Sequence, residues 1–155
     1  MVRNEGNAVT EQAVGPAWPS GSPPPATDGV HWVLQDVAEL PGVRAQLRRH
    51  LDRTVPATGP RGGELRDQLV LAFDEMASNA LRHGGGGVTA AVRLTPTAFL
   101  IEVSDAAASA PPRPAVGRDP SEGGLGLYLI AELASAHGWY VRDRAKHVWA
   151  LLPRG

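Results

Sequence analysis

The run Asp74-Glu75-Met76-Ala77-Ser78-Asn79-Ala80-Leu81-Arg82-His83-Gly84 constrains this chain more than any other segment. Leu65, Leu69, Ala72, Phe73, Met76 and Ala80 recur at helical spacing and predict an apolar stripe. Residues four apart on a helix share a face, about 6 Å apart along the axis. Glu75, Asn79 and His83 therefore form a short polar row beside the stripe. A carboxylate, a carboxamide and an imidazole at the edge of a core-facing stripe lie where a cleft can open. Glu75 can accept a proton from a hydroxyl or water. The carboxamide oxygen of Asn79 is a hard ligand suited to Mg²⁺. An isolated Glu-x-x-x-Asn is ordinary on amphipathic helices, so the row needs support from elsewhere in the chain.

Two later segments give that support. Residues 98–105, Ala98-Phe99-Leu100-Ile101-Glu102-Val103-Ser104-Asp105, alternate as a strand and close on an acid. Farther on stands Ser121-Glu122-Gly123-Gly124-Leu125-Gly126-Leu127-Tyr128. It opens a run with helical spacing, Leu127, Ile130, Ala131, Leu133, Ala134 and His137, with Gly138 as the expected C-cap. Glycines before a helix let backbone approach an anion, and the free N–H groups with the dipole favour a phosphate. Taken singly, an Asp at a strand end caps turns and a glycine loop serves simple turns.

In this order and spacing the three elements resemble the GHKL ATPase superfamily, from about Val30 to the C-terminus. Within it they look like bacterial anti-sigma-factor serine kinases and the small actinobacterial ATP-binding regulators. The resemblance implies a two-layer α/β sandwich of the Bergerat, histidine-kinase-like type, with helices on one face of a mixed, mainly antiparallel sheet. It implies ATP and Mg²⁺ as cofactors. Glu75 falls where the family has its general base, and Asn79 where an asparagine holds Mg²⁺ against the triphosphate. Asp105 falls where an aspartate accepts the adenine amino group. Gly123, Gly124, Gly126 and Leu127 fall in the glycine box whose amides meet the phosphates, and His83 aligns with a polar residue near them. The implied activity is phosphotransfer to a serine of an anti-sigma-factor antagonist, and the implied binding partner is a sigma factor. A homodimer is left open. One departure stands out: the family's Asp-x-Gly reads Asp105-Ala106-Ala107 here, without the glycine that allows positive φ.

Composition narrows the alternatives. The chain has 155 residues, which suits one domain with a core and a tail. Lys+Arg is 15 and Asp+Glu is 16, so no field for nucleic acid follows. Arg44, Arg48 and Arg49 cluster on one predicted helix and read as a solvated face. There is no Cys, and the 5 His do not fall in zinc spacings. No apolar run spans a membrane and no signal peptide is visible, so the expected location is cytoplasmic.

Residues 1–28 are rich in Gly, Pro, Ala and Ser, and read as a disordered tail before a domain over 29–155. Expected elements are a strand over 30–34 and a helix from Pro41 to about Thr54. The long helix Glu64 to His83 follows, then strands at 88–94 and 98–105. Ala106 to Glu122 matches the ATP lid, and 139–142 with 147–152 form a closing hairpin. Three other readings stay open: a nucleotide-binding regulator without turnover, the catalytic half of a split histidine kinase, and a non-nucleotide interaction domain. The second is opposed by the lack of a preceding dimerisation helix with an acceptor His.

Overall fold

The computed structural model describes residues 18–55, 62–84, 86–109, 112 and 125–154. Its strands are β1 (Thr27–Leu34), β2 (Val88–Leu94), β3 (Ala98–Asp105), β4 (Ala136–Arg142) and β5 (Ala145–Pro153). Its α-helices are α1 (Leu40–Thr54), α2 (Gly62–His83) and α3 (Leu125–Leu133). A 3-10 turn, Val37–Glu39, leads into α1. Asp36 opens it as a capping box: its side chain accepts the Ala38 N–H, and Glu39 Oε1 accepts the Asp36 N–H in return.

The strands pair in the order β1-β2-β3-β5-β4, and every neighbouring pair is antiparallel. A mixed, mainly antiparallel sheet was expected, and the parallel pairing among the described residues is one bridge, Ser20 to Trp139. Alternation decides what each strand presents. Val88, Ala90 and Val92 of β2, Phe99, Ile101 and Val103 of β3, and Val148, Ala150 and Leu152 of β5 all join one core. Leu69, Phe73, Met76, Ala77 and Ala80 of α2 and Val43, Leu47 and Leu51 of α1 fill it from the other side. Each large apolar side chain buried there stabilises by about 1.5–3 kcal/mol, and this fixes the azimuth of α2. Asp105 shares the parity of Phe99, Ile101 and Val103, so it ends β3 on the helix-covered face. Among the described residues no helix is long and apolar enough to cross a membrane.

The β4 edge of the sheet corrects the expected tail. Trp18 is 2% exposed, and its ring meets His137 edge-on at 4.7 Å. Trp139 N–H donates to Pro19 O at 3.0 Å and Gly21 N–H to Trp139 O at 2.8 Å, so the segment runs along the β4 edge. Trp149 Nε1 then donates to Gly21 O at 2.8 Å. Ser22, Pro23, Pro24 and Ala26 lie opposite Arg93, Leu100, Glu102 and Tyr140 around a cavity of about 380 Å³. Composition misjudges this strap because it needs no core of its own. It borrows an unpaired sheet edge and one aromatic anchor. Residues 1–17 lie outside the described residues.

The end of α3 also differs from expectation. The helix closes at Leu133, Ser135 N–H reaches Leu151 O at 2.9 Å, and β4 starts at Ala136. His137 and Gly138 are thus strand residues paired with Ala150 and Trp149. His137 falls on the helical period, but β5 offers it a ladder partner. Gly138 is no C-cap: a β-carbon there would come within 2.9 Å of the Trp149 ring and 2.8 Å of Pro19 O.

Candidate functional site

Helix α2 carries the polar row. Glu75 and Asn79 lie one turn apart and are half-buried, while His83 in the last turn is exposed. The apolar stripe holds this face in place: Leu69, Ala72, Phe73, Met76 and Ala80 are buried and Leu65 packs against the core. The helix ends where Gly84 N–H donates to Ala80 O at 2.8 Å. Gly84 is pressed against the Asp105 side chain, with no space for a β-carbon between them. The C-terminal end of α2 is therefore seated on the C-terminal end of β3, and only glycine allows so close an approach.

Asp105 is 4% exposed. Its Oδ1 accepts the Ala107 N–H at 2.8 Å. Its Oδ2 lies 3.7 Å from Lys146 Nζ, across the β3–β5 ladder. The Asp105-Ala106-Ala107 turn closes without a glycine. Positive φ among the described non-glycine residues occurs at Asp143 and Arg144, not at Ala107. The departure from Asp-x-Gly thus leaves the acid held by a local Asx-type bond.

Glu75 is held at the other side of α2. Gly126 of α3 abuts the Glu75 carboxylate so closely that a β-carbon there would overlap Oε2. Leu71, Ala72, Gly126, Leu129, Ile130 and Leu133 enclose about 120 Å³ beside it. That space is below the roughly 300–1,000 Å³ of small-molecule sites, so it serves as an apolar wall and not as the ligand site. Burial against the wall pushes the Glu75 carboxyl above 4.5; the neighbouring Asp74 charge adds to the rise and Arg82 opposes it. Arg44 fixes Asp74 in turn, Nη1 to Oδ1 at 2.7 Å. Arg48 pairs with Asp67 at 3.1 Å with both side chains largely exposed, so Arg44 and Arg48 reach across to α2 while Arg48 and Arg49 keep the solvated face that was expected.

The other expected site residues divide in two. Leu127 is buried in the core, so its backbone amide is what it can offer a ligand. Gly123 and Gly124, and the lid apart from residues 106–109 and 112, lie outside the described residues. Sequence reasoning missed Lys146, whose link to Asp105 is a matter of strand register. It also missed a polar cluster on the outer sheet face. Glu102 Oε2 accepts the Tyr140 hydroxyl at 2.6 Å and faces His147 Nδ1 at 2.9 Å. Arg93 lies 3.5 Å from Glu102 Oε1, and the Tyr140 and His147 rings stack at 4.7 Å. The available signal was Glu102 itself, a charge at an outward position between the core residues Ile101 and Val103.

The structure sets Gly126 against Glu75 and Gly84 against Asp105, at two places along the helix that carries Asn79. The family model of the histidine kinase-like ATPase domain matches residues 34–151. A comparison with curated proteins gives no match. The antiparallel sheet with helices on one face, the acid at the end of β3 and a match across most of the chain agree: the chain belongs to the histidine kinase-like ATPase domain family, within the GHKL superfamily, and carries an ATP-binding domain.

Proposed function

We propose that this protein is an anti-sigma factor that uses Mg-ATP to phosphorylate a serine of an anti-sigma-factor antagonist. The observation that carries the reading is the half-buried Glu75, wedged against Gly126 and raised in proton affinity by burial. A carboxylate so placed is a stronger base than one in water and can take the proton of an attacking hydroxyl. Asn79, one turn on, would offer its carboxamide oxygen to Mg²⁺, which supplies charge neutralisation at the transferred phosphoryl group. Asp105 would accept the adenine amino group. The amides of Gly123, Gly124, Gly126 and Leu127 would meet the phosphates, with His83 at the rim. Leu71, Leu129 and Leu133 are exposed beside Glu75 and offer a protein substrate an apolar footing.

The test is γ-labelled ATP with candidate antagonist proteins encoded nearby. Label on a serine, lost in Glu75→Gln, is the expected result. ATP binding without transfer to any antagonist would replace the kinase with a nucleotide-binding regulator. A sigma factor that co-purifies with the protein would support the partner assignment, and its absence from pull-downs with every encoded sigma factor would remove it.

A further inference from the structure

We infer that Lys146 is a positioning residue that holds the Asp105 carboxylate in place as an acceptor, and thereby sets a preference for 6-amino over 6-oxo purines; the inference rests on the nucleotide reading above. Asp105 is 4% exposed and Lys146 7%. A carboxylate so far from water is strongly disfavoured without a cation beside it. The elements packed around Asp105 differ in what they bring. From α2 comes Gly84, which has no side chain, with Arg82 and His83 exposed to solvent. From the following turn comes the Ala107 N–H. From β5 comes the Lys146 ammonium, with Asp143 and Arg144 of the β4–β5 turn exposed.

The geometry leaves the acceptor usable. At 3.7 Å the Lys146–Asp105 contact is longer than a hydrogen bond, so the pairing is Coulombic and Oδ2 can still accept. The 6-amino group of adenine donates to such an oxygen. The 6-oxo group of hypoxanthine presents a second acceptor and is repelled. With Lys146 replaced by an uncharged side chain, Oδ2 loses the buried charge that holds it in place. ATP then loses its contact to the 6-amino group, whereas a 6-oxo base has no such contact to lose.

The experiment measures affinity for ATP and for inosine triphosphate, with Mg²⁺, in the parent, Lys146→Met, Lys146→Arg, Asp105→Asn and the Asp105→Asn/Lys146→Met double variant. The parent should prefer ATP. Lys146→Met should lower the ATP-to-inosine-triphosphate ratio by about tenfold or more, and Lys146→Arg should keep it. In the Asp105→Asn background the Lys146 change should leave the ratio alone, because no carboxylate remains to be held. If Lys146→Met fails to fold, Lys146→Gln takes its place in both backgrounds. A ratio that shifts in the Asp105→Asn background would mean that Lys146 reads the base itself, and the inference is overturned. Equal weakening of both nucleotides in Lys146→Met overturns it too and leaves the nucleotide reading intact. A parent that binds neither nucleotide overturns both.

Discussion

Gly126 on the first turn of α3 lies against the Glu75 carboxylate of α2, and no β-carbon fits between them. A glycine at the mouth of a helix is usually explained by phosphate approaching the backbone. Among the described residues the group that approaches Gly126 is the side chain of the proposed base. The same contact adds to the burial of Glu75 and limits where its oxygens can point, so this glycine contributes to both the proton affinity and the aim of the carboxylate.

This predicts that Gly126→Ala separates function from stability. The atoms a new methyl would meet are the far end of Glu75, a flexible side chain that can swing away. Stability should change by less than about 1 kcal/mol. Phosphotransfer should fall about a hundredfold, because a base misplaced by 1 Å loses most of its effect. Thermal melts alongside the labelled-ATP assay decide it; full activity in Gly126→Ala would detach Glu75 from the chemistry.

Gly84→Ala should behave in the opposite way. Here the obstacles are the Asp105 Cβ and the Ala80 carbonyl, both close to backbone that cannot swing aside. The expected loss is about 1–3 kcal/mol, a fall of about 2–12 °C in Tm. ATP affinity should drop with it, since Asp105 is pushed from its place. An unchanged Tm would show that the α2–β3 junction is looser than the contact indicates.

How much of this was legible in the sequence depends on the range of the signal. The bounds of β2 and β3 could be read because Val88, Ala90 and Val92, then Phe99, Ile101 and Val103, alternate on either side of Thr95-Pro96-Thr97. The α2 stripe and its polar row were legible for the same local reason. His137 was misplaced on a helix because a short apolar run fits two periods, and only the presence of β5 arbitrates. The strap 18–26 was hidden because its stability lies in bonds to Trp139 and Trp149, more than a hundred residues away. The Lys146–Asp105 pair was hidden likewise, since nothing but strand register joins the two.

The strap carries its own prediction. Trp18→Ala should cost roughly 3 kcal/mol or more, because the ring is almost fully buried. Trp18→Phe should stay within about 1 kcal/mol, because the indole Nε1 has no hydrogen-bond partner to lose. His137, whose pKa burial holds below 6.5, should titrate closer to that value once the Trp18 ring is gone. Denaturant melts and histidine NMR titrations test both points. Equal stability of the parent and Trp18→Ala would return the segment to the tail.

On the outer face, burial and the bond to Glu102 push Tyr140 up to about 12. A pKa raised in the folded state means the protonated phenol is stabilised by folding. That contribution is complete below the ordinary value of 10.0 and is lost as pH rises from there towards about 12. Tyr140→Phe should cost about 1 kcal/mol near neutrality, and the gap to the parent should close at high pH. A gap that stays constant through phenol ionisation would show that the Glu102 bond contributes nothing.

Glu75 gives the sharpest pH test. Its carboxyl is raised above 4.5, first by burial and then by Asp74, so folding favours its neutral form. Well above the folded-state pKa the group is ionised in both folded and unfolded chains, and the buried charge destabilises the fold. As pH falls through that pKa towards 4.5 the penalty shrinks, because the folded state takes the proton first. Glu75→Gln should therefore be more stable than the parent at neutral pH, with the difference fading on acidification. The same titration should govern transfer: the rate falls as pH drops through the raised pKa, and Glu75→Gln loses about a hundredfold or more while Mg-ATP affinity stays near that of the parent. Melts at stepped pH, calorimetry and the kinase assay on one preparation test the three expectations together. A Glu75→Gln variant that is less stable at neutral pH would show that the carboxylate makes a stabilising contact. A variant that still transfers phosphate at the parental rate would leave the reaction without this base.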